Sequence, residues 1–139
     1  MTETTVQDFA FAQLVEEYVR FWNTGTGQER HRSAAAAFAG DVEYRAPVGV
    51  LSGTQALTDF RDRFVGHMGT VEFRLRERPQ THHADARLAW EILTGDGTSF
   101  ATGTDILRLD EDGRIRTVTV FLDRAPEGFG TAAHDRAEP

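Results

Sequence analysis

The stretch that decides the fold is "FATGTDILRLDEDGRIRTV", residues 100–118. Two runs of strand-forming residues flank the turn-forming "DEDG", which predicts two antiparallel strands joined by a hairpin turn. Side chains alternate along a strand, so the face that carries Leu107 also carries Gly103 and Asp105. Asp is a poor strand former, and a buried carboxylate is costly without a partner. A carboxyl group at this position therefore predicts a polar site inside the molecule.

The interior around Asp105 is expected to be apolar. Alternation on the neighbouring strands directs the following side chains to the same interior: Leu88, Trp90, Ile92, Val118, Val120 and Leu122. Desolvation there favours the neutral carboxylic acid, which can donate a hydrogen bond to an oxyanion formed on a substrate. Tyr18, on the apolar face of the first predicted helix, is the natural phenol to assist Asp105.

Three helices are predicted ahead of these strands. Residues 6–24 carry apolar side chains at helical spacing on one face, and the following Gly-rich "GTG" ends the helix. The Ala-rich residues 28–40 predict a second helix that is closed by the glycine at its end. Residues 52–69 predict a third helix, capped at its start by Ser52 or Thr54.

The strand candidates complete the predicted fold. They cover residues 41–49, 71–78, 86–93, 99–109 and 114–122. Three helices with an early strand between them, followed by a run of antiparallel strands, predict an α+β fold with the helices on one face of a curved sheet. We expect a single domain over residues 1–124. Residues 125–139 contain Pro, Gly and charge with little periodicity, which predicts a loose C-terminal tail.

Composition excludes several functional classes. The net charge of −7 disfavours nucleic acid as a partner. The absence of Cys and Lys excludes a thiolate nucleophile and Schiff-base chemistry. No apolar run is long enough to cross a membrane, and the acidic "MTETTVQDFA" lacks signal-peptide features, so we expect a cytoplasmic protein. The His pair in "HHADAR" lacks zinc-site spacing, so we expect neither a metal nor another cofactor.

Three segments in this order resemble a known superfamily. They are "LVEEYVRFW", "FAGDVEYRAPVGVLSGTQALTDF" and "TDILRLDEDGRIRTVTVFLD". Together they are similar to the nuclear transport factor 2-like superfamily, in its branch of SnoaL-like polyketide cyclases and ketosteroid isomerases. The resemblance covers roughly residues 8–124 and implies a conical fold around a deep apolar pocket. It also implies a small apolar organic ligand, and often a homodimer formed through the outer face of the sheet.

The resemblance also assigns expected roles to two residues. Tyr18 and Asp105 fall on the two positions that jointly form the oxyanion hole of steroid isomerases, in which the Asp is kept neutral to donate a hydrogen bond. Asp105 is followed by the same run of apolar, apolar, Arg, apolar and Asp that leads into a Gly-Arg-Ile turn. The half of the site that stabilises an oxyanion is therefore expected to be present.

The half of the site that abstracts a proton departs from the relatives. Steroid isomerases carry their general base just before the Pro of the early strand, and here that position is Ala46. Epoxide hydrolases of the superfamily need an Arg and a second Asp where this chain has Gly103 and Val120. Only Tyr44 and Asp105 remain from the epoxide hydrolase pattern.

Few groups could replace the missing base. Tyr44 should share the pocket face with Ala46, although a phenol is a poor base near neutral pH. His67, at the end of the third helix, has a suitable intrinsic pKa and is expected near the pocket mouth. Asp123 ends the last strand and is a further candidate at the rim. The pocket wall is expected to include Trp22, Ala46, Leu88, Trp90, Gly103 and Val120.

Three functional hypotheses follow. The first is a cofactor-free acid/base enzyme of isomerase, cyclase or dehydratase type, which acts on a small apolar carbonyl substrate through an enolate. The second is a non-catalytic binding protein of the same fold, which Ala46 favours because the usual base is missing. The third is an epoxide hydrolase with a rearranged site.

Overall fold

The computed structural model describes residues 2–23 and 27–126. Its helices are α1 (Thr2–Asn23), α2 (Gly27–Ala37) and α3 (Thr54–Met68). All three predicted helices are therefore present. Except for Ala125 and Pro126, the predicted tail lies outside the described residues. None of the described helices is both long and apolar enough to cross a bilayer.

The ends of the second and third helices differ from the prediction. Helix α2 ends at Ala37 instead of Gly40, because the chain from Phe38 onward pairs with the last strand. Helix α3 begins after Gly53 without a side-chain cap, whereas we expected Ser52 or Thr54 to cap it. The Thr54 hydroxyl instead donates a hydrogen bond to the Ala39 carbonyl oxygen, 3.3 Å away.

Within the described residues, seven strands follow or separate the helices. They are β1 (Phe38–Ala46), β2 (Gly49–Ser52), β3 (Val71–Leu75), β4 (Gln80–His82), β5 (Asp85–Thr94), β6 (Ser99–Leu109) and β7 (Ile115–Arg124). Strands β2 and β4 were not predicted, because each is short and pairs with a neighbour that the local pattern does not identify. Strand β6 has the predicted bounds.

The sheet is mixed, and its order is β2-β1-β7-β6-β5-β3, with β4 also paired to β5. All neighbouring strands are antiparallel except β1 and β7, which are parallel. The predicted α+β class with a curved sheet is confirmed. The predicted antiparallel run of later strands is present, and the parallel β1–β7 pair, which the sequence did not predict, makes the sheet mixed. The sheet does not close on itself, since β2 and β3 remain as edges.

The core lies between the helices and the concave face of the sheet. Helix α1 buries one apolar stripe, which includes Phe11, Leu14, Val15, Tyr18 and Trp22. Leu57 of α3 and Leu107 and Val118 of the sheet are completely buried in the same core. Apolar burial of this kind is the main favourable contribution to folding, at about 25 cal/mol per Å2. The remaining space toward one end of this core forms the cavity described next.

Candidate active site

A cavity of about 490 Å3 opens between the helices and the concave face of the sheet. Its wall is mostly aliphatic and aromatic: Trp22, Tyr44, Ala46, Pro47, Val48, Phe60, Phe64, His67, Met68, Phe73, Trp90, Ile92, Phe100, Ala101, Asp105, Val120, Leu122 and Pro126. Among the described residues of this wall, Asp105 carries the one carboxyl group and His67 the one imidazole. Pockets of this size and character are typical of small-molecule sites.

Asp105 lies at the inner end of the cavity and is 1% exposed. Two donors hold its carboxyl group. The Tyr18 hydroxyl donates to Oδ2 at 2.5 Å, and the Trp90 indole N–H donates to Oδ1 at 2.7 Å. The carboxyl orientation is therefore fixed by one group from helix α1 and one from strand β5. From the sequence we expected Tyr18 to assist Asp105, but we expected Trp90 only to line the pocket.

The pairing of three strands places these groups together. Asp105 pairs with Leu88 on β5 and with Val120 on β7. Trp90 pairs with Gly103, and a methyl group at position 103 would lie 2.2 Å from Cζ2 of the Trp90 indole. Gly103 therefore makes room for the ring whose N–H reaches Asp105.

The buried surroundings change the acidity of Asp105. Burial raises the pKa of this carboxyl group from 3.8 to about 7, although the hydrogen bonds from Tyr18 and Trp90 oppose the rise. Desolvation destabilises the charged form, whereas donated hydrogen bonds stabilise it. Asp105 can therefore exchange a proton near neutral pH, which an exposed Asp cannot do.

Tyr18 is buried behind Asp105 and does not line the cavity. Its ring packs edge-on against Trp22, Phe38 and Phe73. Burial, and then the neighbouring Asp105 carboxylate, raise the pKa of Tyr18 well above its ordinary value. The neighbouring Trp22 indole N–H opposes this rise, and it has no hydrogen-bond partner of its own among the described residues. Tyr18 is therefore a neutral donor that is directed at Asp105.

Tyr44 lies on the cavity wall, on strand β1. It is 7% exposed, and its ring packs against Trp22 and Phe60. Burial, and then the Asp105 carboxylate, raise the pKa of Tyr44 well above its ordinary value. No hydrogen bond of its hydroxyl is found among the described residues. This raised pKa makes Tyr44 unsuitable as a base, in agreement with the argument from sequence.

The other predicted residues divide between the wall and the layer behind it. Ala46, Val120 and Trp22 line the cavity. Leu88 and Gly103 are buried but do not line it. His67 lines the mouth and is exposed. Apolar residues of α3 and β3, including Phe60, Phe64 and Phe73, also line the cavity and were not placed in its wall from the sequence.

Asp123 does not face the cavity. Its Oδ2 accepts hydrogen bonds from Arg76 at 2.7 Å and from Thr104 at 2.8 Å, on the outer side of the sheet. His82 and His83 are exposed and contact each other away from the cavity. Within the described part of the chain, no group of three or more potential ligands could hold a metal ion.

Comparison with known proteins agrees with this architecture. The model of the SnoaL-like domain matches residues 15–118. Since this match spans most of the chain, the protein belongs to the SnoaL-like domain family. None of the curated proteins matches the sequence.

Solved structures show the same fold. An inferred isomerase of the SnoaL-like family from Agrobacterium tumefaciens is 26% identical, with a TM-score of 0.77 over 83% of this chain and 98% of that chain. A nuclear transport factor 2-like protein of unknown function from Exiguobacterium is 17% identical, with a TM-score of 0.65 over 79% and 98%. An inferred polyketide cyclase from Sinorhizobium meliloti is 13% identical, with a TM-score of 0.63 over 78% and 93%.

Proposed function

We propose that the protein is a cofactor-free acid/base enzyme of isomerase, cyclase or dehydratase type. Its substrate would be a small, largely apolar carbonyl compound that reacts through an enolate. The observation that carries this proposal is Asp105, a carboxyl group fixed by Tyr18 and Trp90 at the inner end of an apolar cavity, with a pKa of about 7. A general acid or base works best when its pKa lies near the working pH.

The charge of the wall supports an uncharged substrate. Among the described residues that line the cavity there is no Arg, and the exposed His67 lies at the mouth rather than beside the buried Asp105. An anionic group in the interior would lack a cationic partner and would lie close to the Asp105 carboxyl. A neutral molecule with one polar end can instead bury its apolar body against the aromatic wall.

Asp105 can supply the base that the sequence lacks at Ala46. In the role expected from the resemblance, Asp105 donates a hydrogen bond to an oxyanion together with Tyr18. Tyr18, however, is separated from the cavity, and both Asp105 oxygens already accept hydrogen bonds. We therefore assign the proton transfer to Asp105. Tyr18 has the role of holding the Asp105 carboxyl group in position. The isomerase and cyclase names of similar structures are consistent with enolate chemistry.

Hydrogen exchange at carbon tests this function without knowledge of the product. The protein is incubated in D2O with 2-tetralone, a small bicyclic ketone, and deuterium at the carbon next to the carbonyl is followed by NMR. Wild-type protein should accelerate exchange, and Asp105→Asn should lose about 10^2- to 10^4-fold of that acceleration. Asp96→Asn, at an exposed turn, is the matched control and should keep the wild-type rate.

Failure of the wild type to exchange this ketone and related apolar ketones would favour the alternative of a non-catalytic binding protein. A rearranged epoxide hydrolase is the remaining alternative. Val120, which pairs with Asp105 and lines the cavity, provides no second carboxylate for activating water. Turnover of an epoxide panel without ketone exchange would favour that alternative over the enolate mechanism.

We also propose a homodimer formed through the outer face of the sheet, as the resemblance implies. Phe121 is 57% exposed and pairs with Thr104 in the sheet, so an apolar ring projects from this outer face. A partner would remove that ring from water. Light scattering on the purified protein should give twice the monomer mass of 15.5 kDa, and a monomer at micromolar concentration would contradict the proposal.

A further inference from the structure

The enolate mechanism needs a hydrogen-bond donor for the substrate oxygen. Tyr18, the donor expected from the resemblance, cannot provide that hydrogen bond. Tyr18 has its hydroxyl directed at Oδ2 of Asp105 and is completely buried. Trp90 directs its indole N–H at Oδ1. These two hydrogen-bond donors are therefore occupied by the carboxyl group itself, and the Trp22 indole N–H lies beside the buried Tyr18 hydroxyl. A substrate oxygen must find its partner elsewhere on the wall.

Tyr44 has the free hydroxyl. It lines the same cavity as Asp105, and no hydrogen bond of its hydroxyl is found within residues 2–23 and 27–126. Its ring is fixed by contacts with Trp22 and Phe60, at centroid distances of 5.9 and 6.0 Å. A phenol that stays neutral and is held in one orientation is suited to donating one hydrogen bond to a ligand.

The sheet topology places Tyr44 at a useful separation from Asp105. Tyr44 pairs with Val118 of β7, while Asp105 pairs with Val120 of the same strand from the other side. The two residues thus flank β7, which separates their strands by roughly 10 Å at 4.8 Å per strand. Because both side chains project from the concave face into one cavity, a small molecule can contact both groups.

We propose that Tyr44 donates the hydrogen bond that stabilises the enolate oxygen, while Asp105 carries the proton. This assignment rests on the proposed function and deepens it. It names the recognised group as an uncharged carbonyl with an acidic C–H on the neighbouring carbon. It also differs from the expectation drawn from the resemblance, in which Tyr18 and Asp105 shared the task of stabilising the oxyanion.

The proposed step balances within the substrate and one carboxyl group. The Asp105 carboxylate takes a proton from the carbon next to the carbonyl, and the C–H electron pair forms the carbon–carbon double bond of the enolate. The carbonyl π pair moves to oxygen, where the Tyr44 hydroxyl donates a hydrogen bond. Asp105 then returns the proton to carbon, at the same or a conjugated position, and the carbonyl re-forms. No oxidant, reductant or cofactor is consumed.

The exchange of 2-tetralone in D2O tests the assignment in three proteins: wild type, Tyr44→Phe and Tyr18→Phe. Tyr44→Phe keeps the ring against Trp22 and Phe60, so the wall should persist. We expect Tyr44→Phe to lower kcat by about 10^2- to 10^3-fold at every pH, as for the loss of one oxyanion donor. Tyr18→Phe should instead move the pH profile, since its hydroxyl acts on Asp105.

A binding measurement separates a lost donor from a damaged fold. 2-Naphthol imitates the enolate, and naphthalene is the matched probe without a hydroxyl. Tyr44→Phe should bind naphthalene as wild type does but lose the fluorescence shift of 2-naphthol toward the naphtholate. Tyr18→Phe should retain that shift. Loss of naphthalene binding by Tyr44→Phe would mean that its cavity wall is damaged. In that case Tyr44→Leu replaces it in the test, provided that this variant binds naphthalene as wild type does. Tyr44→Leu should then show the same loss of kcat.

The results for the two proposals are distinguishable. If wild type exchanges 2-tetralone and Tyr44→Phe exchanges it at a similar rate, the assignment of Tyr44 is overturned while the enolate function stands. If wild type itself catalyses no exchange, the proposed function fails first, and the Tyr44 assignment fails with it.

Discussion

Two of the aspartates on the β5–β6 hairpin, Asp96 and Asp105, are in opposite electrostatic situations. Asp96, at the exposed turn, accepts hydrogen bonds from Thr94 and Thr98, and these lower its pKa to about 2. Asp105, on the concave face of the same hairpin, also accepts two hydrogen bonds, yet burial raises its pKa to about 7. Hydrogen-bond donors alone therefore do not set the pKa of a carboxyl group, because desolvation outweighs them once the group is buried away from water.

The largest expected effect is on the pH dependence of stability. The pKa of Asp105 rises from 3.8 in the unfolded chain to about 7 in the fold. Between these pH values the native protein holds a proton that the unfolded chain releases, so stability falls as pH rises through this window. At 1.36 kcal/mol per pKa unit, the loss is on the order of 4 kcal/mol between pH 4 and 7.

Urea denaturation of wild type and Asp105→Asn across that range measures this loss. As pH rises, the wild type should lose unfolding free energy relative to Asp105→Asn. This relative loss should level off above about pH 7. Asp96→Asn should show no such trend between pH 4 and 7, because the depressed pKa of Asp96 acts only at lower pH. A flat difference for Asp105→Asn would show that the carboxyl group is not desolvated.

The next largest effect is a loss of stability when a side chain is added in the space that the Trp90 indole occupies. In Gly103→Ala the added carbon would lie 2.2 Å from Trp90 Cζ2 and 2.8 Å from the Phe121 carbonyl oxygen. We expect a loss of about 1–3 kcal/mol in unfolding free energy from overpacking, together with loss of ketone exchange. Gly66→Ala in α3, where nothing lies within 4 Å, is the control and should be neutral or stabilising. Equal stability of both variants would contradict the close packing of Trp90.

The smallest effect isolates a single hydrogen bond. Trp90→Phe keeps an aromatic ring in the wall but removes the donor to Oδ1 of Asp105. Because that hydrogen bond lowers the pKa of Asp105, its loss should move the acid limb of the exchange profile up by about one pH unit. The profile of kcat/KM against pH measures the shift. An unchanged or downward-shifted limb would mean that the indole does not act on the reacting carboxyl group.

Much of the fold could be predicted from local patterns. The period of apolar residues identified α1, and the turn residues "DEDG" identified the β6–β7 hairpin. Strand alternation from Leu107 placed Asp105 on the interior face, where it is 1% exposed. Local signals failed where long-range pairing prevailed, as at Phe38, which Ala-rich helix propensity assigned to α2 but which pairs with Ile115.

The candidate site was only partly predictable. The resemblance identified Tyr18 and Asp105, but the donor Trp90 depends on the register of β5 against β6. That register shifts at a bulge between Ile92 and Leu93, and a slip of one residue would turn Trp90 to the other face. The direction of the Tyr18 hydroxyl likewise depends on how α1 packs across the sheet, which no local pattern specifies.

The sequence by itself determined the α+β class, the absence of Lys and Cys chemistry, and a carboxyl group within an apolar strand face. These follow from residue identity and periodicity, which act over a few positions of the chain. Only the tertiary structure decided that Tyr18 is separated from the cavity, and that the Tyr44 hydroxyl on the wall has no hydrogen-bond partner among the described residues. Both outcomes depend on contacts between distant segments, above all the parallel pairing of β1 with β7 that brings Tyr44 to the wall.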